Sequence, residues 1–138
     1  VKVVQVVSNT ITASSASTGV NYASTTLNVT IKPQSTSNRI KLTVSGPLRS
    51  AALSTSNAYI NVKRNSTLVC GAGGCNQLAG GLAAALMIPT AFTVTDSPST
   101  TSPIQYTVSI KGDDAVTAIQ FCATNVTCQL TAEEINGL

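Results

Sequence analysis

The chain contains no histidine and no tryptophan in its 138 residues. Without an imidazole it has no Ser-His-Asp or Cys-His catalytic arrangement, no histidine metal ligand, and lacks the commonest general base at neutral pH. The enzyme hypothesis that we weigh is a glycan hydrolase built on two carboxylates. The chain has five of them: Asp96, Asp113, Asp114, Glu133 and Glu134.

The positions of these carboxylates do not favour catalysis. Asp113 and Asp114 follow Gly112 between two predicted strands, which is the position of ordinary turn residues. An acid–base pair or a calcium site is the alternative, but no EF-hand pattern surrounds them. Glu133 and Glu134 lie near the end of the sequence and are assigned no chemistry. The sequence therefore predicts a protein that is not an enzyme, with no catalytic residue, no cofactor and no metal site.

Charge and aromatic side chains are also scarce, at 9% and 4% of the residues. The eight Lys and Arg residues are scattered, and only Lys63 and Arg64 are adjacent. Nucleic-acid binding normally needs a basic groove interleaved with aromatic side chains, so we expect no nucleic-acid partner. The longest apolar stretch, residues 78–88, is interrupted by Gly80 and Gly81 and is shorter than the roughly 20 residues of a membrane span. We therefore expect no membrane partner, and residues 1–7 do not match a signal peptide.

Apolar side chains recur at every second position along most of the chain, which is the period of a β-strand. The clearest runs are Leu27, Val29 and Ile31; Ile40, Leu42 and Val44; Ala58, Ile60 and Val62; and Ile104, Tyr106, Val108 and Ile110. Weaker runs at residues 3–7, 68–69, 92–94, 119–121 and 128–132 bring the count to eight or nine. The spacing predicts an all-β fold, an antiparallel β-sandwich or jelly roll of about eight strands, in a single domain over residues 1–138.

A sandwich has edge strands, and an uncharged surface beside such edges favours association with another chain. Closed symmetric assembly would cover that surface, so we expect a homotrimer or a larger homo-oligomer. The Gly- and Ala-rich residues 71–86 are predicted to form a long loop. Two interpretations of this loop stay open, one in which it packs against a neighbouring subunit and one in which it is a mobile surface loop.

The four cysteines form two local pairs, Cys70 with Cys75 and Cys122 with Cys128, and each pair brackets a predicted turn. The second pair is placed where its members would face each other across a hairpin, close enough for a disulfide. Free thiols and a four-thiolate zinc site are the alternatives, although zinc usually takes shorter spacings. The spacing favours two disulfides.

Seven stretches, taken in order, resemble one family: VKVVQVV at residues 1–7, LNVTIKP at 27–33, NRIKLTV at 38–44, YINVKRNSTL at 59–68, TDSP at 95–98, IQYTV at 104–108 and LTAEEI at 130–135. They are similar to the small trimeric β-sandwich of tailed-phage virion proteins, especially those of marine phages and cyanophages. In that family the module forms the tip of a tail fibre or stands alone as a capsid cement protein. No shaft, collagen-like repeat or coiled coil accompanies these stretches, which favours the cement form.

The resemblance implies a homotrimer on the capsid surface of the virion, with the major capsid protein as its partner. The alternative is a receptor-binding tail-fibre or adhesin tip, which should carry polar and aromatic residues on loops. Asn21-Tyr22 and Asn57-Ala58-Tyr59 are the candidates for that role. The cysteine pairs and residues 71–86 have no counterpart in the family pattern.

Overall fold

A computed structural model describes residues 2–50, 56–79 and 87–136, and the described residues contain no helix. The described residues form eleven strands: β1 (Val3–Ile11), β2 (Ser15–Thr18), β3 (Ala23–Ile31), β4 (Arg39–Ser50), β5 (Ala58–Arg64), β6 (Thr67–Leu68), β7 (Asn76–Leu78), β8 (Ile88–Asp96), β9 (Ile104–Lys111), β10 (Ala118–Phe121) and β11 (Cys128–Ile135).

The strands form two antiparallel sheets. In the first sheet, β4 pairs along one edge with β11 and β10, and along the other edge with β8, while β1 and β2 pair with the outer edges of β11 and β10. In the second sheet, β9 lies between β3 and β5, and β6 and β7 share the far edge of β5. The predicted all-β sandwich is confirmed.

The eleven strands occupy eight positions in the two sheets. β6 and β7 lie one after the other along β5, β10 and β11 lie one after the other along β4, and β1 and β2 lie along β11 and β10. With each such pair counted as one strand, the first sheet has the order 1-8-3-6 and the second 2-7-4-5. This is the double Greek-key order of a jelly roll.

The core lies between the two sheets and is built by the alternating residues. Leu27, Val29 and Ile31 of β3 and the four apolar residues of β9 point inward, and all are at most 5% exposed. Ile40, Leu42 and Val44 of β4 meet them from the other sheet and are fully buried. Burying each such side chain contributes about 1.5–3 kcal/mol, so these runs are a large part of the driving force for folding.

Two details differ from the sequence-based expectation. Residues 76–78 of the predicted long loop form β7, which pairs with Ala58–Ile60 of β5, and Leu78 packs against the core. Residues 80–86 of that loop lie outside the described residues. Strand β2 was not predicted because its sequence, Ser-Ala-Ser-Thr, has no large apolar side chain to mark the period, and it is held by pairing with β10.

Candidate functional site

The first cysteine pair closes a loop between β6 and β7. Both strands pair with the same edge of β5, and the seven residues 69–75 between them lie opposite only Asn61 and Val62. Cys70 and Cys75 are joined by a disulfide with their Cα atoms 5.3 Å apart. We call residues 69–75 the first bulge loop, because the chain leaves the sheet and returns to the same edge.

The second pair closes a loop of the same form between β10 and β11. Both strands pair with one edge of β4, and the seven residues 122–128 lie opposite Gly46 and Pro47. Cys122 and Cys128 are joined by a disulfide with their Cα atoms 6.0 Å apart. The predicted hairpin is therefore wrong, because β10 and β11 run in line along β4 rather than pairing with each other. We call residues 122–128 the second bulge loop.

The two disulfides belong to different sheets, so the four cysteines do not meet at one point. Within the three described ranges, no three cysteine, aspartate or glutamate side chains come together as a metal site would require. The geometry of these cysteines is that of two separate disulfides, each closing one bulge loop.

Asn61 anchors the first bulge loop from beneath. It is fully buried on the outer face of β5, and its Oδ1 atom accepts hydrogen bonds from the backbone N–H groups of Cys70, at 3.1 Å, and Val62, at 2.8 Å. Its Nδ2 donates to the carbonyl oxygen of Gly71 at 3.0 Å. A single amide side chain thus replaces the strand partner that the looped-out residues lack.

Tyr22 packs against the same loop. Its hydroxyl donates to the carbonyl oxygen of Ala72 at 3.0 Å, and a Cβ atom on Gly74 would lie 2.9 Å from the Tyr22 hydroxyl oxygen. Gly74 also has a φ of +84°, a conformation that favours glycine. Partial burial raises the pKa of the Tyr22 phenol. Tyr22 is therefore held in place by the closed loop.

Lys111 brings together the two polar–aromatic segments that the sequence analysis singled out. Its Nζ atom lies 4.6 Å from the centroid of the Tyr59 ring and 5.3 Å from that of the Tyr22 ring. The Tyr59 hydroxyl donates to Asp113 Oδ1 at 2.7 Å, and the backbone N–H of Asn57 donates to Asp113 Oδ2 at 2.9 Å. The Asn57 and Tyr59 donors, in that order, lower the pKa of Asp113.

A second lysine completes the cluster. Lys63 Nζ donates to the carbonyl oxygen of Tyr22 at 2.9 Å. The two lysines border an open cavity of about 290 Å³, which we call the lysine depression; it is lined by Val20, Asn21, Tyr22, Lys63, Leu68, Ala72 and Lys111. Among the described residues, neither lysine has a carboxylate oxygen within 4.0 Å of its Nζ atom. The ion pair found there joins Arg64 and Asp96 instead.

The second bulge loop borders a cavity of opposite character. This apolar depression has a volume of about 540 Å³ and lies against β4, the start of β8 and residues 123–127; its lining residues are Ser45, Gly46, Pro47, Met87, Pro89, Thr90, Ala91, Ala123, Val126 and Thr127. None of the described residues that line it is charged. Val126 at its border is 41% exposed.

Four of the five carboxylates are bound by nearby donors. Asp96 accepts from Arg64 and from the buried Tyr106 hydroxyl, whose pKa is raised by burial and by that hydrogen bond. Asp114 accepts the backbone N–H of Thr117 and of Val116, as the turn prediction expects, and these bonds with the Thr117 hydroxyl lower its pKa. Asp113 holds Tyr59, as described above. Each of these carboxylates organises a turn or an ion pair.

Glu134 was assigned no role from the sequence, yet it is fully buried. Its two carboxylate oxygens accept the backbone N–H of Gln34 at 2.7 and 2.8 Å, and Gln5 Nε2 donates to Oε2 at 3.3 Å. A signal for this was present, because Glu134 continues the inward phase of Leu130 and Ala132 along β11. The carboxylate joins the chain after β3 to the first sheet.

Among the described residues, no helix has the length and apolar character needed to cross a membrane. Comparison with protein-family models and with curated proteins finds no match for this chain.

Proposed function

We propose that the chain is a structural protein of a virus particle, a decoration or cement protein that binds the capsid of a tailed phage as a homotrimer. The observation that carries the proposal is the apolar depression, an uncharged concave surface on the exterior of the first sheet. An uncharged surface beside an unpaired strand edge favours association with another chain.

The strand beside this depression supports the same proposal. β8 pairs with β4 along one edge, and no described strand pairs with its other edge. Asp96 is its only charged residue, so β8 has none of the lysines that commonly protect an edge from association. We propose that copies of the chain meet at the apolar depression and the adjoining edge of β8.

The proposed mechanism is mechanical. A homotrimer contacts several copies of the major capsid protein at once, and many small contacts add by avidity. The cement protein binds only the assembled shell, so its binding stabilises the shell against disruption. It does not direct the assembly of the shell. A jelly roll is compatible with this role, because viral capsid domains also have this fold. Many proteins with other functions have it too. Neither nucleic acid nor a membrane has a part in the proposal.

The oligomeric state tests the proposed contact. Light scattering at about tens of micromolar, well above common subunit affinities, should show a homotrimer. Val126→Asp places a charge at the border of the apolar depression and should yield monomers, because an unpaired charge is costly at a buried contact. Thr30→Asp, at an exposed position on β3 of the other sheet, is the matched control and should leave the trimer intact. A monodisperse wild-type monomer would refute the proposal.

A receptor-binding tail-fibre or adhesin tip is the second candidate, and the convergence of Tyr22 and Tyr59 on Lys111 favours it. Negative-stain imaging with a labelled antibody distinguishes the two. Label over the whole head supports decoration, whereas label at the tail or fibre ends supports receptor binding.

A further inference from the structure

We propose that the lysine depression binds an acidic saccharide. A carboxylate or phosphate on the sugar would lie between Lys63 and Lys111, with the sugar ring against Tyr22, Val20 and Leu68. This inference goes beyond capsid decoration, and it holds whether the protein is located on the head or on the tail of a particle.

The charge of the depression favours an anionic ligand. Its two ammonium groups lack a carboxylate partner within 4.0 Å among the described residues, and no acidic residue lines the cavity. Lys63 Nζ is positioned by its bond to the Tyr22 carbonyl oxygen, which uses one of its three N–H donors. The remaining donors of both lysines can form charge-assisted hydrogen bonds with an anionic group, which are stronger than neutral ones.

The rest of the lining fits a sugar ring. Val20, which is 53% exposed, and Leu68 and Ala72 offer an apolar wall, and Asn21 offers an amide for a hydroxyl. A sugar ring carries both C–H faces and hydroxyl groups, so it matches such a mixed wall. The volume of about 290 Å³ is just below the range of about 300 to 1,000 Å³ that is usual for ligand pockets. One ring with its acidic group is the appropriate size.

The walls are also fixed before a ligand arrives. Tyr22 is bonded to Ala72 in the first bulge loop, the Cys70–Cys75 disulfide closes that loop, and buried Asn61 ties it to β5. Little side-chain freedom remains to be lost on binding, so a small ligand can bind with useful affinity.

A nucleic acid is a poorer fit for the same charge. Binding a phosphate backbone needs several lysines or arginines in a row, whereas two lysines line this depression. Its lining contains one aromatic side chain, Tyr22, so it offers no series of rings on which successive bases could stack. The experiment below includes a single-stranded DNA oligonucleotide for this reason.

The experiment is a calorimetric titration of the full, oxidised protein at low salt with methyl β-glucuronide, glucose 6-phosphate, methyl β-glucoside, inorganic phosphate and a single-stranded DNA oligonucleotide. We expect both acidic sugars to bind and the neutral glucoside to show no binding. Inorganic phosphate alone should bind at least about tenfold more weakly than glucose 6-phosphate, because it lacks the ring contacts. Equal affinity for phosphate and the sugar phosphate would overturn the assignment of a saccharide, as would tighter binding of the DNA oligonucleotide.

Variants locate the site. Lys111→Met and Lys63→Met keep the aliphatic stem and should each weaken acidic-sugar binding by about tenfold or more. Lys41→Met, at an exposed position on β4 of the opposite sheet, is the matched control and should bind as the wild type does. If Lys111→Met does not fold, Lys111→Arg keeps the charge and should retain binding. An equal loss in Lys41→Met, or no loss in either site variant, would overturn the proposal.

Discussion

Lys111 Nζ lies 4.6 Å from the centroid of the Tyr59 ring, and the two residues are direct register partners in the β5–β9 ladder. A lysine over a tyrosine face contributes about 0.5–1 kcal/mol at an exposed site. The Tyr59 hydroxyl in turn bonds to Asp113 in the turn that follows β9. The cross-strand pair therefore connects the lysine depression to the turn at residues 112–117.

This turn should make the protein sensitive to acid. The pKa values of Asp113 and Asp114 are lowered from 3.8 by the N–H and hydroxyl donors around them. A carboxylate whose pKa is lower in the folded state contributes stability above its unfolded pKa, and this is lost as the pH falls through the folded pKa. We expect the free energy of unfolding to decrease below about pH 4. Denaturant unfolding at pH 7 and pH 2.5 would measure it.

Asp114→Asn and Asp113→Asn should each flatten that pH dependence, since the neutral amide has no charged form to lose. Glu133→Gln removes a carboxylate that accepts no such hydrogen bond from the described residues, and it is the control with which the two Asp→Asn variants are compared. If the two Asp→Asn variants had the same slope as the wild type, the turn bonds would not be the source of acid sensitivity.

Each disulfide should contribute to stability by closing its bulge loop. A loop of this length loses about 2 kcal/mol of chain entropy in the unfolded state when it is cross-linked. We expect Cys70→Ser with Cys75→Ser to lower the free energy of unfolding by about that amount. Cys122→Ser with Cys128→Ser should cost more, because both residues are fully buried and would place hydroxyls in the core. Urea denaturation of the two double variants against the wild type gives the comparison.

The oxidation state itself can be measured in particles. The proposed phage protein would fold in a reducing cytosol, so we expect the Cys122–Cys128 bond to form after release. Intact mass with and without alkylation should show two disulfides in mature particles. Four alkylated thiols in particles exposed to air would contradict this.

Glu134 should be the most sensitive of the acidic residues to truncation. Glu134→Ala removes both bonds to the Gln34 N–H and the bond from Gln5, and we expect it to cost about 2 kcal/mol. Glu133→Ala, one position along the same strand on the outward face, should change stability by less than about 0.5 kcal/mol. Equal thermal midpoints for the two variants would show that the buried Glu134 carboxylate contributes no more to stability than Glu133 does.

Gly46 tests the packing beneath the second bulge loop. A Cβ atom at this position would lie 2.8 Å from Phe121 Cζ and 2.9 Å from Cys128 Sγ. Gly46→Ala should therefore destabilise the fold by about 1–3 kcal/mol through overpacking. Gly71→Ala is the control, since nothing lies within 4 Å of its added Cβ atom, and it should unfold like the wild type.

The sequence predicted the fold well where a strand has one buried face, because the period of two then appears directly, as in Leu27, Val29 and Ile31. It could not show that Cys122 and Cys128 lie between two strands that follow each other along the same edge of β4. Local spacing does not reveal whether flanking strands pair with each other or with a shared neighbour such as β4. The lysine depression was also hidden, since Tyr59 and Lys111 meet only through the register of β5 and β9. Asn21-Tyr22 and Asn57-Ala58-Tyr59 were identified by residue type alone.

The measurement that tests the proposed function most directly compares particles with and without this protein, following DNA release on heating and the rate of adsorption to the host. A decoration protein binds the completed shell, so particles lacking it should assemble but release DNA at a lower temperature, with adsorption nearly unchanged. Normal heat resistance together with failed adsorption would contradict this account and favour the receptor-binding tip.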